Sequence, residues 1–373
     1  MASPERISFR GGPQIDMPLL LCSVAIATLG IVNLYSATSV YIEAGRRAGL
    51  ADIYVSQVYW LVVGGLLAIL AAAIDYRHLE RLAYVFYFGG LVALMLVFVL
   101  ASDIRGSARW IQVGSFNFQP SEFIKILLIL VLAKHLHDDA RTEPRRWVDL
   151  AIPIVLTLVP AALVIAQPDL GTALIYLLTA ASILFMVRIR RSSLAWAGVV
   201  AGVSAPLLWK YVLRDYQKAR ITSFLDPEHD VTDTGWHALQ SKTAIGNGGL
   251  TGHGFMQGTQ NQFGFLPDQY SDFPFAVFAE DWGLLGCALL LALYCFLCIW
   301  AVHVASQAKD RFGAALAIGV GAMIFWHVVF NVGMATGLLP VVGITLPLFS
   351  YGGSSLLTMM VGLGLLMNVA MRR

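Results

Sequence analysis

Ten long apolar runs follow one another along this sequence of 373 residues, and they constrain its fold more than any other feature. A helix needs about 20 apolar residues to cross a hydrocarbon core of about 30 Å. Lipid offers no partner for a backbone N–H or C=O group, so each run is predicted to be a helix. The runs span residues 17–37, 55–74, 82–101, 120–136, 149–166, 170–187, 194–213, 273–303, 312–337 and 348–371.

The composition leads to the same class of protein. The chain is 58% hydrophobic and 13% charged, and its mean hydropathy of +0.71 exceeds that of ordinary soluble domains. We therefore predict an all-α polytopic membrane protein of about ten transmembrane helices, with one domain over residues 1–373.

Two of the runs need separate arguments. Arg6 and Arg10 precede the first run, as in a secretory signal, but the run is long, lacks a convincing cleavage pattern and has nine more behind it. We interpret it as a retained helix. The fifth and sixth runs are separated only by Gln167-Pro168-Asp169, which is predicted to be a tight turn.

Lysine and arginine residues in alternate loops predict the orientation of the chain. One side carries fifteen of them and the short loops of the other side carry four, so both termini are predicted to be cytoplasmic. The polar segment 214–274 then lies outside, away from ATP, and we expect no nucleotide cofactor. The fifteen are Arg6, Arg10, Arg77, Arg81, Lys134, Arg141, Arg145, Arg146, Arg188, Arg190, Arg191, Lys309, Arg311, Arg372 and Arg373. The four are Arg46, Arg47, Arg105 and Arg109.

The segment 214–274 is the one long polar stretch, and it is predicted to be an extracytoplasmic loop between the seventh and eighth helices. It contains a glycine-rich run from Gly246 to Gly254, which is open to two interpretations. The glycines form turns, or their backbone N–H groups cradle an anion. The order of residues argues against a nucleotide P-loop, because Lys242 precedes the glycines instead of following them.

Asp272 near the end of this segment is the candidate for the catalytic residue. It lies two residues ahead of Pro274, where the eighth run begins, and so is either a helix N-cap or a functional carboxylate. Tyr270 and Phe273 flank it. At the mouth of a partly apolar cavity, desolvation makes a carboxylate a usable general base.

Charged residues inside apolar runs are the second group of candidates, because each costs about 2.5–3.5 kcal/mol on insertion scales. Glu122 and Lys125 lie three residues apart, on one helical face. They form either a neutralising pair that locks two helices or a substrate site in a cavity open to the outer side. Asp169 is either an N-cap or part of that same cavity, since all three residues are predicted to face outward.

Ordered motifs along almost the whole chain resemble those of the SEDS family of proteins (shape, elongation, division and sporulation). The run Pro340-Val-Val-Gly343 is similar to the elongation branch of that family. The motifs are Arg109-Trp110, Phe118-Gln-Pro-Ser-Glu-Phe-Ile-Lys125, Ala166-Gln-Pro-Asp-Leu-Gly-Thr172, Leu225-Asp-Pro-Glu228, Gly235-Trp-His-Ala-Leu-Gln-Ser-Lys242, Ala244-Ile-Gly-Asn-Gly-Gly249, Phe265-Leu-Pro267, Ser271-Asp-Phe273, Leu339-Pro-Val-Val-Gly343 and Leu346-Pro-Leu-Phe-Ser-Tyr-Gly-Gly-Ser354.

The resemblance implies a peptidoglycan glycosyltransferase that polymerises lipid II at the outer face of the bacterial cytoplasmic membrane during cell elongation. It implies a class B penicillin-binding protein and other elongation-complex membrane proteins as partners. The family's essential aspartate falls on Asp272, and its functional positions fall on Arg109, Glu122, Lys125 and Asp169. The sequence departs from the family pattern at Ser271, Tyr270, Pro274 and Glu280-Asp281.

The implied reaction suits this layout, because the lipid-linked donor brings its own diphosphate leaving group. A single base, Asp272, is enough for one displacement that inverts the anomeric centre. The departing diphosphate needs positive charge, for which the candidates are Arg109, Lys125, Lys242 and a divalent cation, Mg²⁺ or Mn²⁺.

Two other functions fit the same composition. A lipid II flippase also carries polar groups in a helical bundle, but it needs a path to both faces and usually has repeat symmetry. A non-catalytic scaffold of a cell-wall complex makes Asp272 dispensable.

Overall fold

The structure of this chain is a computed structural model, and it describes residues 14–43, 52–100, 102–104, 107–113, 116–139, 141, 143–226, 234–266 and 268–373. Several residues used in the sequence analysis lie outside the described residues. They are Arg6, Arg10, Arg46, Arg47, Arg105, Pro267 and Glu228.

All ten apolar runs form helices, which confirms the predicted all-α membrane fold. Among the described residues, eight helices are long and apolar enough to cross a membrane. Of the remaining two, α4 carries charged residues and α6 is shorter, at 15 residues. The helices are α1 (Met17–Glu43), α2 (Ile53–Ala73), α3 (Tyr76–Leu100), α4 (Pro120–Asp138), α5 (Ala151–Ala166), α6 (Leu170–Leu184), α7 (Arg191–Leu207), α8 (Asp215–Leu225), α9 (Thr234–Asn247), α10 (Thr259–Gln262), α11 (Pro274–Ser306), α12 (Arg311–Ala335) and α13 (Gly353–Arg372).

Helix α4 lies at the centre of the bundle and packs against α3, α6, α12 and α13. Thirteen of its 19 residues are buried, including Glu122 and Lys125. The outer helices instead expose apolar side chains, such as Leu66 on α2 and Val99 on α3. This distribution fits a protein whose outer surface faces lipid, and it explains why the helix with Glu122 and Lys125 is an inner one.

A small antiparallel sheet between α3 and α4 was not predicted from the sequence. Its strands are β1 (Ser102–Ile104), β2 (Ser107–Val113) and β3 (Phe116–Phe118), in that order. Strand β2 pairs with β3 in the register Ile111 to Phe118 and Val113 to Phe116. The strand β2 carries Arg109, and β3 leads directly into α4.

The polar segment 214–274 contains short helices, which the sequence analysis did not predict. It contains the helices α8, α9 and α10. Two elements connect it to the bundle: α9 packs on α11 and α12, and α10 packs on α1. The hydropathy pattern shows only that this segment is polar, whereas its helices form because they pack on the bundle.

Candidate functional site

Asp272 lies in a tight turn that leads into α11. The carbonyl oxygen of Asp268 accepts hydrogen bonds from the backbone N–H groups of Ser271, Asp272 and Phe273. The N-cap position of α11 is Phe273 and its first residue is Pro274. Asp272 is therefore not the N-cap of this helix, and that alternative is wrong. The Asp272 residue is half-buried at this end of the bundle.

The buried amide of Asn331 on α12 fastens the Asp272 turn to a second segment. Its Nδ2 donates to the carbonyl oxygen of Asp272 at 2.9 Å and to that of Ile344 at 2.7 Å. Asn331 itself is 0% exposed. One side chain therefore fixes the backbone of the candidate base relative to the Pro340–Gly343 motif.

The Asp272 carboxylate faces the backbone of Gly343. A Cβ added at Gly343 would lie 3.7 Å from Oδ2 of Asp272. The φ of Gly343 is +72°, a conformation that glycine adopts without strain. This glycine thus allows the motif to turn immediately beside the carboxylate.

Two further contacts hold the turn on its other side. The backbone N–H of Tyr351 donates to the carbonyl oxygen of Tyr270 at 2.8 Å, and the two rings meet edge to face. The Nε2 of Gln269 donates to the carbonyl oxygen of Ala37 on α1 at 2.6 Å. The Asp272 turn is therefore attached to α1, to α12 and to the segment before α13.

Asp169 caps the N-terminus of α6 and also forms an ion pair with Arg109. Its Oδ1 accepts from the backbone N–H of Thr172 at 3.1 Å, which makes it the N-cap of α6. Its Oδ2 lies 3.4 Å from Nη1 of Arg109 and accepts from Nε2 of Gln119 at 3.2 Å. The structural and the functional interpretations of Asp169 are thus compatible, because one carboxylate makes both sets of contacts.

The N-terminus of α6 is close to the motif that contacts Asp272. A Cβ added at Gly171 would lie 2.8 Å from the carbonyl oxygen of Val342 and 3.0 Å from Cγ1 of Ile344. Gly343, between these two residues, faces the Asp272 carboxylate. The pair of Arg109 and Asp169 and the Asp272 turn therefore flank the same short segment, and a cavity shared by Asp169, Glu122 and Lys125 stays a prediction.

Lys242 on α9 lies near this end of α12. Its stem packs over Gly337, and the neighbouring Ser241 Oγ donates to the carbonyl oxygen of Ala335 at 2.8 Å. Along α12, Ala335 is four residues, or about 6 Å, beyond Asn331. The Lys242 residue is exposed, so its charge is available to a ligand. A small cavity of about 20 Å³ beside it is lined by Arg220, Ser223, Phe224, Ala238, Lys242, Gly337, Leu339, Pro340 and Val341.

Glu122 and Lys125 form a buried pair one turn inside α4. The Nζ of Lys125 donates to both carboxylate oxygens of Glu122, at 2.9 and 2.8 Å. It also donates to Nε2 of His327 at 2.9 Å, because Nδ1 of that ring faces the Met323 carbonyl and so carries the proton. These contacts fit the helix-locking alternative, and substrate binding by the pair stays a prediction.

The glycine-rich run packs against a kink in α11. An added Cβ at Gly248 or Gly252 would overlap the carbonyl groups of Ala279 and Asp281 respectively. Gly283 makes the kink, with φ +63° and ψ −165°. The N–H groups of residues 252, 253 and 254 donate to backbone carbonyls, so the turn interpretation accounts for these glycines better than an anion cradle does.

Glu280 joins the polar segment to α11. This carboxylate is 0% exposed and accepts hydrogen bonds from two side chains and two backbone N–H groups. The donors are Asn247 Nδ2, Thr259 Oγ1, Gln260 N and Asn261 N. The neighbouring Asp281 accepts from Ser36 on α1. Glu280 therefore fastens α9 and α10 to α11, and Asp281 fastens α11 to α1, in the place where the sequence departs from the family pattern.

Sequence reasoning missed Asn331 and His327, which position the predicted residues. Both are polar residues within the apolar run 312–337, which is the kind of anomaly that marked Glu122. The same criterion, applied to neutral polar residues, would have found them.

Comparison with known proteins identifies relatives over almost the entire chain. The family model of cell cycle proteins named for FtsW, RodA and SpoVE matches residues 17–373. The peptidoglycan glycosyltransferase MrdB of Escherichia coli is 36% identical over 371 residues, which cover 100% of this chain and 97% of that protein. The peptidoglycan glycosyltransferase RodA of Treponema pallidum is 32% identical, and the match covers 98% of this chain and 99% of that one.

Solved structures are similar over the same length. One chain, from work on the structural coordination of polymerization and crosslinking by a peptidoglycan synthase complex, has a TM-score of 0.81 and 34% identity. That match covers 95% of this chain and 97% of the other. The rod shape determining protein RodA of Thermus thermophilus has a TM-score of 0.70 and 31% identity, with 99% and 98% coverage. These findings confirm the family to which the motifs pointed.

Proposed function

Because this chain belongs to the FtsW, RodA and SpoVE family of cell cycle proteins, we propose that it is a peptidoglycan glycosyltransferase in which Asp272 is the general base. The glycosyltransferase activity is that of its relatives, which match the chain along almost their whole length. Lipid II as the glycosyl donor, and the assignment of Asp272, are the parts that need an experiment.

The observation that carries the assignment is the position of Asp272. It is half-buried at one end of the bundle, and its turn is fixed by Asn331, Gln269 and the backbone of Tyr351. A general base has to be held within hydrogen-bond reach of the proton that it removes. A rigid turn that carries a half-buried aspartate meets that requirement.

The reaction is one displacement. The hydroxyl oxygen of the acceptor sugar forms a bond to the anomeric carbon of the donor, and its proton passes to Asp272. The bond between that carbon and the diphosphate oxygen breaks, and the diphosphate leaves with the electron pair. The anomeric configuration inverts, and positioned base catalysis contributes about 10²–10⁴-fold to the rate.

Lys242 and Arg109 are the better candidates for stabilising the diphosphate. Lys242 is exposed, and the side chain of Arg109 is 27% exposed beside Asp169. Lys125 is less suited, since its charge is buried against Glu122. Guanidinium and ammonium groups stabilise a leaving diphosphate when they are placed where its charge develops.

A divalent cation, Mg²⁺ or Mn²⁺, is a further proposal. Within the described part of the chain, no three His, Cys, Asp or Glu residues cluster as metal ligands. Magnesium is commonly bound by one or two carboxylates together with substrate phosphates. The residues therefore fit a cation that arrives with the diphosphate and needs only one carboxylate from the protein, and such an ion would neutralise phosphate charge.

The chain is a multi-pass membrane protein of the bacterial inner membrane, as its apolar helices and its relatives indicate. We place both termini in the cytoplasm and Asp272 outside, on the basis of the lysine and arginine distribution. We also propose a class B penicillin-binding protein as partner, together with other elongation-complex membrane proteins. The similarity to a chain of a complex that couples polymerization to crosslinking supports this partner.

The test is polymerisation of lipid II by the purified chain, with and without Mn²⁺, with the glycan products sized on a gel. Asp272→Asn is expected to fold and to make no polymer. The matched control is Asp268→Asn, in the same turn, where asparagine tolerates the observed φ of +44°. It is expected to retain most of the activity.

Polymer at the wild-type rate from Asp272→Asn would refute the role of this carboxylate. A wild-type chain that makes no polymer but moves labelled lipid II across vesicles would favour the flippase. A strain that grows normally with Asp272→Asn would favour the scaffold.

A further inference from the structure

A second cavity lies at the opposite end of the bundle from Asp272. Its volume is about 510 Å³, within the range of small-molecule sites. One of its lining residues, Arg311, begins α12. Asn331 lies 20 residues further along that helix and holds the Asp272 turn. At 1.5 Å per residue the two ends are about 30 Å apart, which is the thickness of a hydrocarbon core.

The lining of this cavity is divided between arginine and apolar side chains. It consists of Arg141, Arg145, Arg188, Arg311, Glu143, Leu136, Met186, Val187, Ala314 and Ala315. A surface that combines several guanidinium groups with aliphatic side chains matches a ligand with an anionic head and an apolar tail.

The charges of two of the arginines are largely neutralised within the protein. Arg145 is 3% exposed and lies 3.2 Å from Oδ2 of Asp139. Arg141 pairs with Asp139 at 3.2 Å and with Asp149. These two arginines therefore line the cavity with charges that are already paired.

The other two arginines supply the positive charge that is not neutralised. In the part of the chain that the structure describes, no carboxylate lies within ion-pair distance of Arg188 or Arg311. The guanidinium of Arg311 donates to a backbone carbonyl, that of Asp139, at 3.2 Å. Both side chains are exposed, and Glu143 is the carboxylate that shares the lining with them. An anion in the cavity would meet Arg188 and Arg311 first.

The apolar part of the lining continues onto the outer surface of the bundle. Met186 is 42% exposed, and Phe185, its neighbour at the end of α6, is 76% exposed. Apolar side chains that point outward at a helix end lie against the acyl chains of the membrane. The cavity therefore opens at the level where phospholipid headgroups meet those chains.

We propose that this cavity binds the phosphodiester headgroup of an anionic phospholipid, with Arg188 and Arg311 on the phosphate and the acyl chains along Met186. Arginine suits this ligand because its planar fork makes paired hydrogen bonds to phosphate oxygens. In the orientation given above, the lipid belongs to the cytoplasmic leaflet.

The orientation rule alone does not account for this arrangement. Basic residues at the cytoplasmic ends of helices satisfy that rule wherever they lie on the surface. Several at this end do so without lining the cavity, namely Arg77, Arg81, Arg190, Arg191, Lys309, Arg372 and Arg373. Four arginines around a single volume with apolar walls are an additional feature.

The test is native mass spectrometry of the full chain from detergent with equal amounts of phosphatidylglycerol and phosphatidylcholine that carry the same acyl chains. The wild type is expected to retain phosphatidylglycerol preferentially. Arg188→Gln is expected to weaken this retention about fivefold, and Arg188→Gln with Arg311→Gln about 25-fold, since each basic residue near a membrane contributes comparably. Inorganic phosphate is added in a parallel arm.

The control variants separate the cavity from general charge. Arg191→Gln removes a charge at the same end but outside the lining, and retention is expected to stay at the wild-type level. Glu143→Gln removes the negative charge of the lining and is expected to tighten retention about fivefold. Melting temperatures of all variants check that they are folded.

Equal retention of phosphatidylglycerol by the wild type and the double variant would overturn the proposal. Displacement of the lipid by an equal concentration of inorganic phosphate would also overturn it, because the site would then take the free anion. Neither result depends on polymerisation, so failure of the glycosyltransferase proposal would be seen separately.

Discussion

The amide of Asn331 is predicted to be a positioning residue for Asp272. Its Nδ2 donates to the carbonyl oxygens of Asp272 and Ile344, and its Oδ1 accepts no hydrogen bond among the described residues. The contribution of this side chain is therefore two donated hydrogen bonds. Asn331→Ala removes both and leaves the two carbonyls without that donor.

The size of the effect follows from these bonds. A buried acceptor that loses its donor costs about 1–3 kcal/mol, so the free energy of unfolding should fall by about 2–6 kcal/mol. The turn would also be free to move relative to Gly343. A displacement of about 1 Å at a reacting group lowers turnover by about 100-fold. We therefore expect turnover per folded molecule to fall about 100-fold.

The matched control is Asn368→Ala at the other end of the bundle. Asn368 is also 0% exposed, and its Nδ2 likewise donates to two backbone carbonyls, those of Ala71 and Ile74. Its loss should destabilise the protein at least as much, because its Oδ1 also accepts from Arg372. Turnover per folded molecule should stay unchanged.

The assay is lipid II polymerisation normalised to the folded fraction, with a thermal melt of each variant. If Asn331→Ala and Asn368→Ala lose the same activity per folded molecule, the amide has no positioning role. Activity of Asn331→Ala at the wild-type level would show that the turn is held by its other contacts alone.

Three further predictions concern the remaining site residues. Glu122→Gln leaves the charge of Lys125 buried without its partner, and it should lower the free energy of unfolding by about 3–5 kcal/mol. The double variant Glu122→Gln with Lys125→Met should recover most of that loss, as measured by a thermal melt. Gly248→Ala forces a Cβ against the α11 backbone and should lower the free energy of unfolding by about 1–3 kcal/mol. Gly246 in α9 has open space around it, so Gly246→Ala should leave that free energy unchanged or raise it by up to about 1 kcal/mol. Lys242→Met should reduce polymerisation about 10-fold or more at an unchanged melting temperature, because a charge-assisted hydrogen bond to the diphosphate is lost; unchanged kinetics would remove Lys242 from the site.

The helices were predictable because the membrane imposes both their length and their hydrogen bonding. Hydropathy placed all ten runs, including the pair separated only by Gln167-Pro168-Asp169. The available signal for the strands β2 and β3 is the alternation of Ile111-Gln-Val113 and Phe116-Asn-Phe118 on either side of Gly114-Ser115, and the sequence analysis missed it. The helices of the polar segment have no comparable signal, since they depend on packing against distant residues.

The candidate site was predictable in its charged residues and not in their partners. Asp169, Glu122 and Lys125 were identifiable because charge is costly in a membrane span. The contact of Lys125 with His327 joins residues 202 apart in the sequence, and the hydrogen bond from Asn331 to the Asp272 carbonyl joins residues 59 apart. Such pairings are decided by how the helices pack, which the local pattern does not specify.

Buried amides share one task at the Asp272 end of the bundle, and this explains how irregular backbone is tolerated there. Non-helical backbone at membrane depth needs protein donors for its carbonyl groups. Gln57 and Asn331, both 0% exposed, donate to such carbonyls, those of Ser350, Asp272 and Ile344, while their own amide oxygens accept nothing within the described residues. Three more amides of at most 1% exposure donate in the same way to carbonyls of the helices α11 and α1; they are Asn33, Asn261 and Gln269.

The acceptors of these amides surround the candidate base, which ties the energetic argument to the functional one. Besides Asp272 itself, they include Pro274, which begins α11, and Ser350, next to the residue that bonds Tyr270. Replacing the amide donors with apolar side chains would leave those carbonyls unsatisfied, and the turn would gain freedom to relax toward other donors. A neutral amide can satisfy a buried carbonyl without adding a charge, so Asn331 fixes the Asp272 backbone and brings no charge of its own beside the carboxylate that faces Gly343.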